Sequence, residues 1–184
     1  MKITVRQITF TAILTAFTAL LSSFGVPLGF ATIYLCDIAV CVAGIVLNPI
    51  LAVIAGGFGT FIGDLIFYPK AMFVTLIIRT VQVLIISVFS HYILKKKPVL
   101  SSLIGAIIGI IVMAFGYSYF SALFYSSIEI ALTKLPFEAL QATVGVAVAI
   151  PLCYKFRLRE ICENYVKKDD ISADDKTTDS DKKA

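Results

Sequence analysis

Between Ile8 and Tyr154 the chain is a succession of apolar runs separated by short breaks of Gly, Pro, Asn or charged residues. A helix crosses the roughly 30 Å hydrocarbon core of a bilayer with about 20 apolar residues and leaves no backbone polar group facing lipid. Runs of that length, repeated along the chain, exclude an ordinary soluble domain. Composition agrees: 59% of the 184 residues are hydrophobic and 15% charged, against about 45–50% and about 25% in soluble domains.

Six spans are predicted, at about 8–24, 30–47, 50–68, 72–94, 99–125 and 136–154. Gly25-Val26-Pro27-Leu28-Gly29 ends the first, Asn48-Pro49 the second, Pro69 the third and Lys95-Lys96-Lys97-Pro98 the fourth, because Pro and Gly punctuate helices and Lys stays in water. The fifth is expected to tilt or break near Gly116. Ser126–Leu135 is expected to form a connecting loop or short helix before Pro136 opens the first turn of the sixth. The first six residues resemble the start of a signal peptide, but no small-x-small cleavage site precedes the next run, so the first run is read as an uncleaved span. The expected fold is an all-α bundle of six transmembrane helices over residues 1–166. The charged tail 167–184, with almost nothing apolar to bury, is expected to be disordered.

Basic residues set the orientation. With a cytoplasmic N-terminus, Lys2, Arg6, Lys95, Lys96, Lys97, Lys155, Arg157 and Arg159 lie inside and only Lys70 and Lys134 outside, which satisfies the positive-inside rule with both termini in the cytoplasm. The surplus of positive charge thus speaks of orientation, and no basic patch interleaved with aromatics points to nucleic acid. The length leaves no room for a nucleotide-hydrolysing domain. There is no GxxxxGK[ST] loop, no GxSxG elbow and no HExxH, so no enzyme and no cofactor are expected. The single His91 and the four cysteines, without CxxC spacing, suggest no metal site.

Ionisable side chains within the apolar runs are expensive in lipid and survive in a bundle interior or a watery cavity. Asp37, Asp64, Arg79 and Glu138 are such residues. Arg79 and Gln82 share a helical face at i, i+3 spacing, and Glu138 and Gln141 repeat it. Two readings stay open: Arg79 is neutralised in an internal ion pair by Asp37, Asp64 or Glu138, or these polar groups line a binding site, which a paired Arg also can. Tyr117, Phe120 and Phe124 form a stripe at i, i+3, i+7, suited to stacking on a planar heteroaromatic ring and equally to helix packing. Ala12 and Ala16 (AxxxA), Gly59xxxGly63 and Gly105xxxGly109 provide small-residue faces for close helix contact, within the bundle or with a partner.

Taken together, the AxxxA of span one, GGFGTFIGDLIFYP (Gly56–Pro69), IIRTVQ (Ile77–Gln82) and PFEALQATVG (Pro136–Gly145) resemble the substrate-binding S components of energy-coupling factor (ECF) vitamin transporters over about residues 5 to 160. The likeness is nearest to the riboflavin, pyridoxine and hydroxymethylpyrimidine branch. It implies a multi-pass cell-membrane protein that binds a B-group vitamin or precursor at the outer face. It further implies a transmembrane T component and two ATPase subunits as partners, with Ala12 and Ala16 docking to the T component. The candidate substrate-binding residues are then Arg79, Gln82, Tyr117, Phe120, Phe124, Glu138 and Gln141. The loops Gly25–Gly29 and Ser126–Leu135 would act as a lid. The alternative is a structural membrane scaffold of the rod-shape MreD type, similar in size and span count.

Overall fold

The computed structural model describes residues 5–28, 31–67, 69, 72–93, 98–125, 128–156 and 158, with backbone alone for 26–28, 31–33, 67, 121–125 and 128–134. The expected tail, Cys162, Arg157 and the side chain of Phe124 lie outside the described residues.

Helix α1 (Val5–Ser23) leads into an antiparallel hairpin, β1 (Gly25–Leu28) and β2 (Ala31–Tyr34). Then come α2 (Cys36–Val46), α3 (Pro49–Val53), a π-turn at Ile54–Phe58 and α4 (Gly59–Phe67). Helix α5 (Met72–Val88) ends in a second π-turn at Phe89–Ile93, and α6 (Pro98–Tyr125) and α7 (Ile128–Tyr154) complete the bundle. Among the described residues, five helical segments are long and apolar enough to cross a membrane: Val5–Ser23, Pro49–Ile66, Met72–Ile93, Pro98–Phe120 and Leu135–Tyr154. The all-α membrane bundle is therefore as expected, and the protein is a multi-pass integral membrane protein.

The second span departs most from expectation. Residues 31–34 are extended and pair with 25–28, Gly25 opposite Tyr34 and Leu28 opposite Ala31, leaving α2 with 11 residues, about 16 Å of helix. Pro27 cannot continue a helix, and Thr32, Ile33 and Tyr34 favour extended backbone. All but one of the α2 residues are buried, so its apolar character belongs to the protein core rather than to a lipid contact. Residues 25–28, expected as a loop, are accordingly a strand.

Two further differences lie in the last helices. Helix α6 is unbroken at Gly116; its 28 residues span about 42 Å, more than the hydrocarbon thickness. The segment expected to connect spans five and six is helical from Ile128, and Pro136 sits inside α7, as does Pro151. Transmembrane helices accept interior Pro because neighbouring helices and local adjustments satisfy the freed backbone groups.

Packing positions the rest. Helix α1 turns Thr11, Leu14, Thr18 and Ser22 inward, where α4 meets them through two glycines. A Cβ on Gly59 would fall 2.8 Å from Thr18 Cβ, and one on Gly63 2.6 Å from Ser22 Cβ. Gly105 and Gly109 seat α6 in the same way, against Phe89 of the second π-turn and Ile86 of α5. Both glycine pairs thus serve the bundle itself. Ala12 and Ala16 lie on the opposite, exposed side of α1 with Ile13, Phe17 and Leu20. The main core joins α2, α3, α5 and α7 around Val40, Ile45, Val83, Ile86 and Ala149; a smaller cluster of Ile78, Met113 and Ala142, with Tyr117 and Phe120 packed on it, lies nearer the hairpin.

Candidate functional site: a polar cluster beside the hairpin

Helix α5 buries Thr75, Ile78, Arg79, Gln82, Val83 and Ile86, a stripe at i, i+3, i+4, i+7 spacing that faces the core. This puts Arg79 and Gln82 inside, 3% and 1% exposed. Across from them α2 presents Asp37 near its first turn, 1% exposed. The guanidinium Nη1 of Arg79 donates to Asp37 Oδ1 in a buried ion pair, and to Gln82 Oε1 at 2.9 Å. Its Nη2 reaches Cys36 Sγ at 3.6 Å, and Nη1 lies 3.5 Å from Met113 Sδ. Of the two ways of placing Arg79, the internal ion pair is present, and its partner is Asp37.

Helix α7 contributes Gln141, 5% exposed. Gln141 Nε2 donates to Asp37 Oδ2, while its Oε1 accepts the Tyr34 backbone N–H at 2.9 Å. One carboxylate therefore holds Arg79 with one oxygen and Gln141 with the other, and Gln141 in turn reaches the last residue of the hairpin. Helix α6 completes the surround: the Arg79 guanidinium carbon lies 5.7 Å from the centroid of the Tyr117 ring, within cation–π range. Phe120 meets Tyr119 edge to face, centroids 6.0 Å apart.

The structure thus gathers Arg79, Gln82, Tyr117 and Gln141 into one cluster, with Phe120 one turn beyond Tyr117. Glu138 sits half-buried one turn before Gln141. Asp64 accepts a hydrogen bond from Ser22 Oγ at 3.1 Å on the α1–α4 contact and also meets Thr75 of α5, which in turn bonds Tyr117, so it borders the cluster from the α4 side. Sequence reasoning marked Asp37 as an intramembrane acid and a possible counterion, yet left it out of the substrate site. It is the residue that bridges Arg79 and Gln141. Arg79 Nε is buried without a hydrogen-bond partner among the described residues.

At the far end of the bundle a second polar cluster ties the helices. Ser102 Oγ lies 3.0 Å from Ser90 Oγ and 2.7 Å from Tyr154 OH, and Tyr154 OH lies 2.8 Å from the Pro98 carbonyl, so the two hydroxyl hydrogens of Ser102 and Tyr154 are shared among three contacts. Ser87 Oγ donates to the Leu47 carbonyl at 2.9 Å. His91, in the second π-turn, contacts the Ser87 carbonyl through Nδ1 at 3.0 Å. Cys36, Cys41 and Cys153 are buried and form no disulfide among the described residues. Among the described residues, no three His, Cys, Asp or Glu are grouped to hold a metal ion.

The fold is thus a polytopic helical bundle with a buried, aromatic-flanked polar cluster joined by a hydrogen bond to the β1–β2 hairpin. The family model described as ECF-type riboflavin transporter, S component, matches residues 2–157, and the chain belongs to that family of vitamin-transport S components. No curated protein matches it.

Proposed function

We propose that the protein captures a small, planar, polar heteroaromatic B-group vitamin or precursor at the outer face, beside the β1–β2 hairpin. The bound molecule is then handed to a T component driven by two ATPase subunits. Riboflavin, named in the family description, is the first ligand to test, with pyridoxine and hydroxymethylpyrimidine after it. Arg79, Gln82, Tyr117, Phe120, Phe124, Glu138 and Gln141 are the proposed substrate-binding residues, and Ala12 and Ala16 the docking strip for the T component.

The observation that carries this reading is Arg79. Two of its nitrogens are engaged and its plane lies by the Tyr117 ring, while the buried Nε–H has no hydrogen-bond partner among the described residues. An unsatisfied buried donor costs about 1–3 kcal/mol. An acceptor on a ring stacked beside Tyr117 would recover that cost, and a flavin carbonyl is such an acceptor. The hydrogen bond from the hairpin backbone to Gln141 further supports a site whose cover and whose polar floor are physically joined.

The test is calorimetric titration of the detergent-purified protein with the three vitamins, for wild type, Arg79→Ala and Gln141→Ala. Loss of a charge-assisted contact is expected to weaken binding by about ten- to a hundredfold. Absence of any binding by the wild type would refute the ligand class, and unchanged affinity in both variants would move the site away from this cluster.

A further inference from the structure

The hydrogen bonds that reach the hairpin have a direction that chemistry fixes. The Tyr34 N–H can only donate, and an ionised Asp37 can only accept. Gln141 stands between them, so its amide has one workable orientation: oxygen towards Tyr34 N at 2.9 Å, nitrogen towards Asp37 Oδ2. The other carboxylate oxygen accepts from Arg79 Nη1. The chain of donors therefore converges on Asp37 from both sides, from α5 directly and from the hairpin through α7.

We infer that Asp37 is a positioning residue for the ligand site: it orients the Gln141 amide, and through that amide it holds the end of β2 against α7. Both of its oxygens are taken, Oδ1 by Arg79 and Oδ2 by Gln141, so it acts through its neighbours rather than on a ligand. Its two oxygens do different work. One keeps the guanidinium of Arg79 in place beside Tyr117, and the other decides whether Gln141 offers the hairpin an acceptor or a donor. The inference rests on the proposed site for its consequence on binding, but its effect on the hairpin does not need a ligand at all.

This polarity can be broken and restored by substitution without changing the size of any side chain. Asp37→Asn replaces two acceptors by one acceptor and one donor. If the new oxygen stays on Arg79, the new NH2 faces the NH2 of Gln141; if Gln141 turns over, its NH2 faces the Tyr34 N–H. Either arrangement opposes two donors. Gln141→Glu keeps the acceptor for Tyr34 but opposes two carboxylates. The two substitutions together restore every bond: the new amide oxygen accepts from Arg79, the new amide nitrogen donates to the new carboxylate, and that carboxylate accepts from Tyr34 N–H. The negative charge moves from α2 to α7 and stays in the cluster.

The experiment measures hydrogen–deuterium exchange of the hairpin in the ligand-free, full-length protein, and riboflavin affinity by calorimetry, for D37N, Q141E and the double variant. Each single variant is expected to exchange the hairpin about tenfold faster and to bind about tenfold more weakly, as the loss of one buried bond predicts. The double variant is expected to return both to within about threefold of wild type. Hairpin exchange unchanged in the single variants, or a double variant no better than the worse single one, would overturn the inference. Gln141→Met, which cuts the link to Tyr34 and leaves the Arg79–Asp37 pair intact, decides the matter if D37N does not fold: unchanged hairpin exchange overturns the inference. Should riboflavin fail to bind wild type, the ligand proposal falls while the exchange measurements still judge the role of Asp37.

Discussion

Gly145 and Asp37 touch so closely that a Cβ built on Gly145 would lie 2.7 Å from the Cβ of Asp37 and 3.1 Å from its carbonyl carbon. The missing side chain lets α7 lie against α2 at the level of the ion pair and brings Gln141, one turn earlier, onto the carboxylate. Gly145→Val is therefore expected to push α7 off α2, costing about 1–3 kcal/mol as overpacking does and weakening ligand binding with it. Thermal unfolding in detergent with and without ligand checks this, and a variant as stable and as tightly binding as wild type would show that the contact is unimportant.

Removing half of a buried ion pair is worse than removing all of it. Arg79→Met leaves Asp37 without its cation and is expected to cost about 3–5 kcal/mol, whereas Arg79→Met with Asp37→Leu, which fills the space with apolar atoms, is expected to regain most of that loss. Vitamin binding should stay lost in both. Unfolding midpoints and calorimetry on the same preparations separate the two effects; a double variant that binds as wild type would remove the pair from the site.

The exposed strip of α1 carries the proposed partnership. Ala12→Trp adds bulk on the face away from Thr11, Thr18 and Ser22, so uptake by cells expressing the transporter should stop while the isolated protein still binds its ligand. Loss of binding together with uptake would mean that the strip serves internal packing.

For the topology, a single cysteine introduced within 126–135 should react with a membrane-impermeant maleimide from outside intact cells, and one within 95–97 should not. Reversed labelling would invert the bundle.

Part of this organisation was legible in the sequence because its signals are local. Run length marked the long spans, the i, i+3 spacing placed Arg79 and Gln82 on one face, and ionisable residues within apolar runs marked Asp37, Asp64, Arg79 and Glu138. Pairing was not legible. Asp37 meets Arg79 and Gln141 across sequence separations of 42 and 104 residues, and nothing in a periodic pattern chooses it over Asp64 or Glu138. The short α2 was hidden for a different reason: an apolar run reads alike whether lipid or protein surrounds it. Pro27 was visible, but only the pairing of 25–28 with 31–34 shows that it belongs to a strand.

The brevity of α2 has a consequence for how the chain enters the membrane. A helix of 11 residues is about half the length needed to cross unaided, and it carries an acid whose partner is synthesised later, on α5. An ionisable residue left without a partner at membrane depth is costly, and Asp37 sits in the first turn of α2. Asp37 and Arg79 are each costly in lipid alone and neutralise one another once α2 and α5 lie together, so the short α2 depends on the long spans around it for its place in the bundle.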